Sequence, residues 1–322
     1  MAAFIRTKLD ALGYQAETDA TGNVLVRLEG IKSEAPLVCY ASHMDEIGVV
    51  VQRIDDDGCL HIQPLGGLHA WKLGERPLVI LGDRASTIGV ASMGGGHGAS
   101  AAQNIGWDGV HLTTGLARVQ LAEMGIRSGS PAVPVRDGRG PVFFGDVQDP
   151  LVGAWTFDDR MGVVTLLRLL EWLRANGKRP AAPTIIAFTV QEEVGGAGAK
   201  VVARRERPAV FVAIDGCPVL PTIPLALDGR PGIWTHDRVA PYDPRLVRDL
   251  LATARLAGTE LQPAAYHVSA SDASMVFDAG LAQRIACFGH VRENSHGFEV
   301  ARLSVFDHLL ATLATFVTSW AG

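Results

Sequence analysis

The stretch that most constrains this chain runs from residue 184 to 198. An apolar run, 184–190, stops at the adjacent acids Glu192 and Glu193 and passes into Gly195-Gly196-Ala197-Gly198. An apolar run of that length bounded by a turn signal reads as a buried strand. Successive strand residues face opposite sides, so the two carboxylates can serve one site only if the backbone turns where the strand ends. Two unpaired carboxylates in such a place are costly unless a proton or a cation compensates them. Taken alone, a solvated loop explains the pair equally well.

Other segments end the same way. After Pro36 a second strand leads to His43-Met44-Asp45, and the apolar run 209–214 ends in Asp215-Gly216. At a strand end an imidazole can bind a metal while a carboxylate two residues on, here Asp45, lies on the same side and orients it. Asp158-Asp159 opens a helix whose apolar face carries Val163, Leu166, Leu167, Leu170 and Leu173. These aspartates either cap the helix or bind metal, and Arg160 is expected to neutralise the one that is not a ligand. Asp272, before another helical turn, either caps it or braces the site from behind. The polar loop 293–299 presents His296. Acids and a histidine at the ends of separate apolar segments form a pattern, because ligands of open α/β sheets bind beyond the carboxyl ends of the strands.

The alternation of strand-like and helical segments predicts an α/β fold, a mixed central sheet flanked by helices. From Gly66-Gly67 to about Gly145 the texture changes to short strands punctuated by glycine and proline, which predicts an inserted, small β-rich, barrel-like domain. The expected division is 1–66 with 148–322 for the catalytic part and 67–147 for the insertion. A hairpin is expected over 49–63, turning at Asp57-Gly58. Gly94-Gly95-Gly96-His97-Gly98 lacks the lysine of a phosphate loop and reads as a plain loop.

Composition excludes several classes. Acidic and basic residues are interspersed at a net charge of −5, so no footprint for nucleic acid or an anionic membrane exists. No apolar run reaches membrane-spanning length. Cys39, Cys59, Cys217 and Cys287 form no C-x-x-C pair, which suits reduced thiols. Arg6, Lys8 and Asp10 interrupt any signal-peptide core. A cytoplasmic location is expected.

Two histidines and several carboxylates make a donor set suited to divalent zinc, cobalt or manganese. The motifs His43-Met-Asp-Glu-Ile-Gly, Phe157-Asp-Asp-Arg-Met-Gly and Val190-Gln-Glu-Glu-Val-Gly, followed by the Asp215 strand end, resemble the glutamyl and tetrahedral aminopeptidase family of dinuclear metallopeptidases. The resemblance runs through nearly the whole chain. It implies a metal-dependent aminopeptidase that removes amino-terminal residues from peptides through a water bridged between two divalent metal ions, zinc or cobalt. Asp158 would bridge the metals, His43 and Asp215 would complete one, and Glu193 and His296 the other. Glu192 would be the general base and Asp45 would orient His43. The insertion would mediate assembly of a homo-oligomer such as a dodecamer. Two departures concern the last motif, where Glu293 replaces the family's aromatic residue after the arginine and Gly297 its serine after the histidine. A related deacylase or carboxypeptidase acting on N-acyl substrates, and a non-catalytic scaffold, are the alternatives.

Overall fold

A computed structural model describes residues 1–94, 106–223 and 225–322. Most of the Gly94 to Gly98 loop lies outside the described residues.

The strands expected from the apolar runs assemble into one mixed sheet. Its eight-stranded order is Glu17–Thr18, Val24–Leu28, Thr184–Thr189, Val38–His43, Val210–Ile214, Arg284–Gly289, Gly232–His236 and Gln262–Ala265. The four central strands run parallel. Both faces of such a sheet are covered, so its strands read as continuous apolar runs rather than alternating ones. Every residue of Val38–His43 and Thr184–Thr189 is buried. The helices Arg160–Ala175, Ala197–Glu206, Pro244–Leu256 and Ser304–Ser319 flank the sheet and share its core, with Leu166, Val202, Leu250 and Leu313 fully buried. Parallel register places Thr189 beside His43 and Ala213 beside Ala41. The three strands that end in His43, Glu192-Glu193 and Asp215 therefore finish at one edge.

A second unit is a closed barrel of Gly48–Ile54, Leu60–Leu65, His111–Thr113, Ser86–Ser92, Pro77–Leu81 and Pro131–Pro134. It has its own core, including Val49, Ile62, Leu78, Leu112 and Leu121. The hairpin Gly48–Ile54/Leu60–Leu65, expected with the catalytic part, hydrogen-bonds into this barrel. Val142–Phe144, expected in the insertion, pairs instead with Leu151–Trp155, which pairs in turn with Phe298–Arg302. This small sheet links the segment before Asp158 to the segment after His296. No described helix is long and apolar enough to cross a membrane.

Candidate metal centre

The paired glutamates converge because the chain turns where the strand ends. Gln191 takes a left-handed φ of 62°, and Gly195 and Gly196 follow at 115° and 68°. Asp45 fastens the turn, its carboxylate accepting the Glu192 and Glu193 N–H groups at 3.2 and 3.3 Å. The same carboxylate lies 3.6 Å from His43 Nδ1, whose Nε2 is 3.1 Å from Asp158 Oδ1.

Asp158 and Asp159 are joined by a cis peptide and take different partners. Asp159 caps the helix Arg160–Ala175 by accepting from the Gly162 N–H at 3.1 Å and also takes the Ser42 hydroxyl at 2.6 Å. Asp158 faces the strand ends. Arg160 neutralises neither. It pairs with Glu46, because the first turn of its helix points that side chain toward the barrel junction, where Arg139 also meets Glu46. The cation on Asp158 is the buried Arg292.

His296 arrives from the far loop with φ 60°. Its Nδ1 contacts the Gly67 carbonyl at 3.0 Å, which turns Nε2 toward Asp158 Oδ2 at 3.5 Å and Glu193 Oε2 at 3.7 Å. Gly67 leaves the room for this ring, since a Cβ there would lie 2.7 Å from Nδ1. Ser271, not Asp272, caps the helix Asp272–Asp278. Asp272 is buried behind the paired glutamates and accepts from the Thr189 hydroxyl at 2.5 Å.

These residues form two donor groups, His43 with Asp158 and Asp215, and Asp158 with Glu193 and His296. Within each group the ligand atoms lie within 4.8 Å of one another. Asp158 belongs to both. Burial, and after it repulsion from Asp158, pushes the Glu193 and Asp215 carboxyls up to about 7. Glu192 is also pushed well up, first by burial, against the pull of His43. Burial would do the same to Asp158, but Arg292 and the two histidines hold it well below the usual carboxylate range. Glu193 Oε1 is buried with no hydrogen-bond partner. An orphaned carboxylate oxygen among crowded acids and imidazoles fits a divalent cation, which would take the place of the protons. A third group, Asp55 with Cys59 and His61 on the barrel hairpin, is accounted for by the ion pairs of Asp55 with His61 and Arg53.

Asp158, Glu193, Asp215 and His296 line a cavity of about 810 Å³. The sequence pattern of the M42 glutamyl aminopeptidases matches residues 22–311. The chain belongs to the M42 glutamyl aminopeptidase family. This M42 chain is 32% identical over 236 residues to a glutamyl aminopeptidase of Lactococcus lactis, a match covering 68% of this chain and 61% of the relative. It is 30% identical over 206 residues to a lysyl aminopeptidase of Pyrococcus furiosus, covering 62% of this chain and 56% of that one. These two matches thus span less than two thirds of either relative. The fold is that of a TET1 peptidase, PhTET1-12s, solved as a dodecamer, with a TM-score of 0.86 at 25% identity, covering 99% of this chain and 93% of the other.

Sequence reasoning missed Arg292 and Glu299 as parts of the centre. Glu299 shares the buried face of Phe298–Arg302 with Ala301, so a charge on an inward, period-2 position was the available signal. Gly67 gave no signal beyond marking a change of texture.

Proposed function

We propose that this M42 chain is a metal-dependent aminopeptidase that hydrolyses amino-terminal residues from peptides, using two divalent ions, zinc or cobalt, per chain. The observation that carries this reading is the pair of donor groups sharing Asp158, with Glu192 beside them and in neither. Glu192 Oε2 lies 4.0 Å from His43 Nε2 and lines the same cavity. His43, Asp158 and Asp215 would hold one ion, and Asp158, Glu193 and His296 the other. When bound, such ions polarise the scissile carbonyl as Lewis acids and make water a competent nucleophile near neutral pH.

The chain's own residues supply the rest. Glu192, half-buried in the cavity wall and with its affinity for protons raised, takes the proton of the attacking water and returns it to the departing amine. Asp45 fixes that carboxylate by holding its backbone and sets the ring of His43 from the other side. Asp272 supports the strand end through Thr189.

The inserted unit, 67–147 by sequence texture and containing most of the barrel, would mediate homo-oligomer assembly up to a dodecamer. Exposed Leu81, Ile88 and Val90 on the barrel support this. Free cysteines support a cytoplasmic location. The test is a panel of free-amine peptides run beside N-acyl amino acids on the metal-loaded protein. Release of amino-terminal residues supports the proposal. Turnover confined to N-acyl substrates would reassign the chain as a deacylase or carboxypeptidase, and inertness toward the whole panel would make it a scaffold.

A further inference from the structure

Glu299 is fully buried, and its carboxylate collects donors from both sides of the centre. Oε1 accepts from Arg292 Nε at 2.8 Å and from the His296 N–H at 3.1 Å. Oε2 accepts from the N–H groups of Phe157 and Asp158, the latter at 3.0 Å. An ionised carboxylate offers about four acceptor positions, so this one is saturated and has nothing left with which to touch a metal or a substrate. Its partners are another matter. Arg292 carries the same network on to the side chain of Asp158.

The two donor groups depend on this carboxylate unequally. His43 and Asp215 are set by the ends of neighbouring parallel sheet strands. His296 sits on a loop with a left-handed backbone, a conformation that costs a non-glycine residue about 1 kcal/mol or more and persists only where its surroundings fix it. Two members of the Asp158, Glu193 and His296 group are held by Glu299, against one member of the other.

We infer that Glu299 is a positioning residue for the second metal, joining the backbones of Asp158 and His296 through one carboxylate so that their side chains meet Glu193. This rests on the proposed dinuclear centre. Removing an outer hydrogen-bond partner of metal ligands lowers metal affinity by about 10- to 100-fold. In Glu299→Gln the amide must turn an N–H₂ toward groups that are all donors, so at least one backbone is released.

The experiment is calorimetric titration of the metal-free full chain with zinc ions. Wild type is expected to take up two equivalents. Glu299→Gln should bind the second about 10- to 100-fold more weakly than wild type and lose distinctly less at the first, where only the shared Asp158 depends on Glu299. Glu299→Asp keeps the charge beside Arg292 but is a methylene short of both backbones, so its second site should stay weak. It carries the test alone if the glutamine variant does not fold. Unchanged affinities in folded Glu299→Gln, equal loss at both sites, or full recovery of the second site in Glu299→Asp would each overturn the inference and leave the dinuclear reading standing. Fewer than two equivalents in wild type would overturn that reading itself.

Discussion

At the scale of single residues, the centre is an accumulation of charge held together by protons until something else replaces them. Glu193 and Asp215 keep theirs up to about 7, and hydrogen bonding to Asp158 raises His296 to about 9 against the opposing effect of burial. Ligands must be deprotonated to bind, so metal affinity should fall as pH drops through this range, with proton release measurable by calorimetry in buffers of different ionisation enthalpy. All three groups bind protons more tightly folded than unfolded, so their contribution to stability declines as pH rises from about 4 to about 9. Added zinc should therefore raise the melting temperature more at about pH 8.5 than at about pH 5.5, and an equal rise at both would contradict the assignment. Glu192→Gln removes the base without removing a ligand. Turnover should fall by about 10²-fold or more with two metals still bound, and loss of metal would show that Glu192 and Glu193 have been assigned the wrong way round. Gly67→Ala would press on the His296 ring and weaken the second metal about 10-fold while the fold persists, read from metal content and circular dichroism.

At the scale of elements, the edge where the strands finish does the positioning, and its tolerances are tight. Gly289 ends the strand Arg284–Gly289, and a Cβ there would lie 1.8 Å from the Asp215 carbonyl oxygen. Because that neighbour is backbone, Gly289→Ala should displace the Asp215 strand end and destabilise the chain by about 1–3 kcal/mol, measured by denaturant unfolding. Much of this edge was readable in the sequence. Where an apolar run stops and an acid follows, the strand end and its cargo are encoded together, as at His43, Glu192-Glu193 and Asp215. Arg292 was not readable, and Glu299 only as a charge on an inward strand position, because the importance of both lies in meeting Asp158, more than 130 residues away in sequence. Arg160 misled for the complementary reason. Its neighbour in sequence is Asp159, but its partner in space is Glu46.

At the scale of the whole molecule, the sheet was legible and the barrel only partly so. Continuous apolar runs announce a doubly covered sheet. Barrel closure instead relies on distant pairings such as Val49 with Ala132 and Leu78 with Pro134, and the prolines at both ends of Pro131–Pro134 give that strand the look of a turn. The hairpin Gly48–Ile54/Leu60–Leu65 follows the His43 strand so closely that local pattern alone assigned it to the catalytic part. The proposed dinuclear centre, cleaving only behind a free amino terminus, is checked by titrating metal-free protein with zinc or cobalt while following hydrolysis of a peptide and its N-acetylated twin. Only the free-amine peptide should be cleaved, at a rate that rises until two equivalents per chain are bound. Cleavage of the acetylated twin, or activity complete at one equivalent, would contradict it.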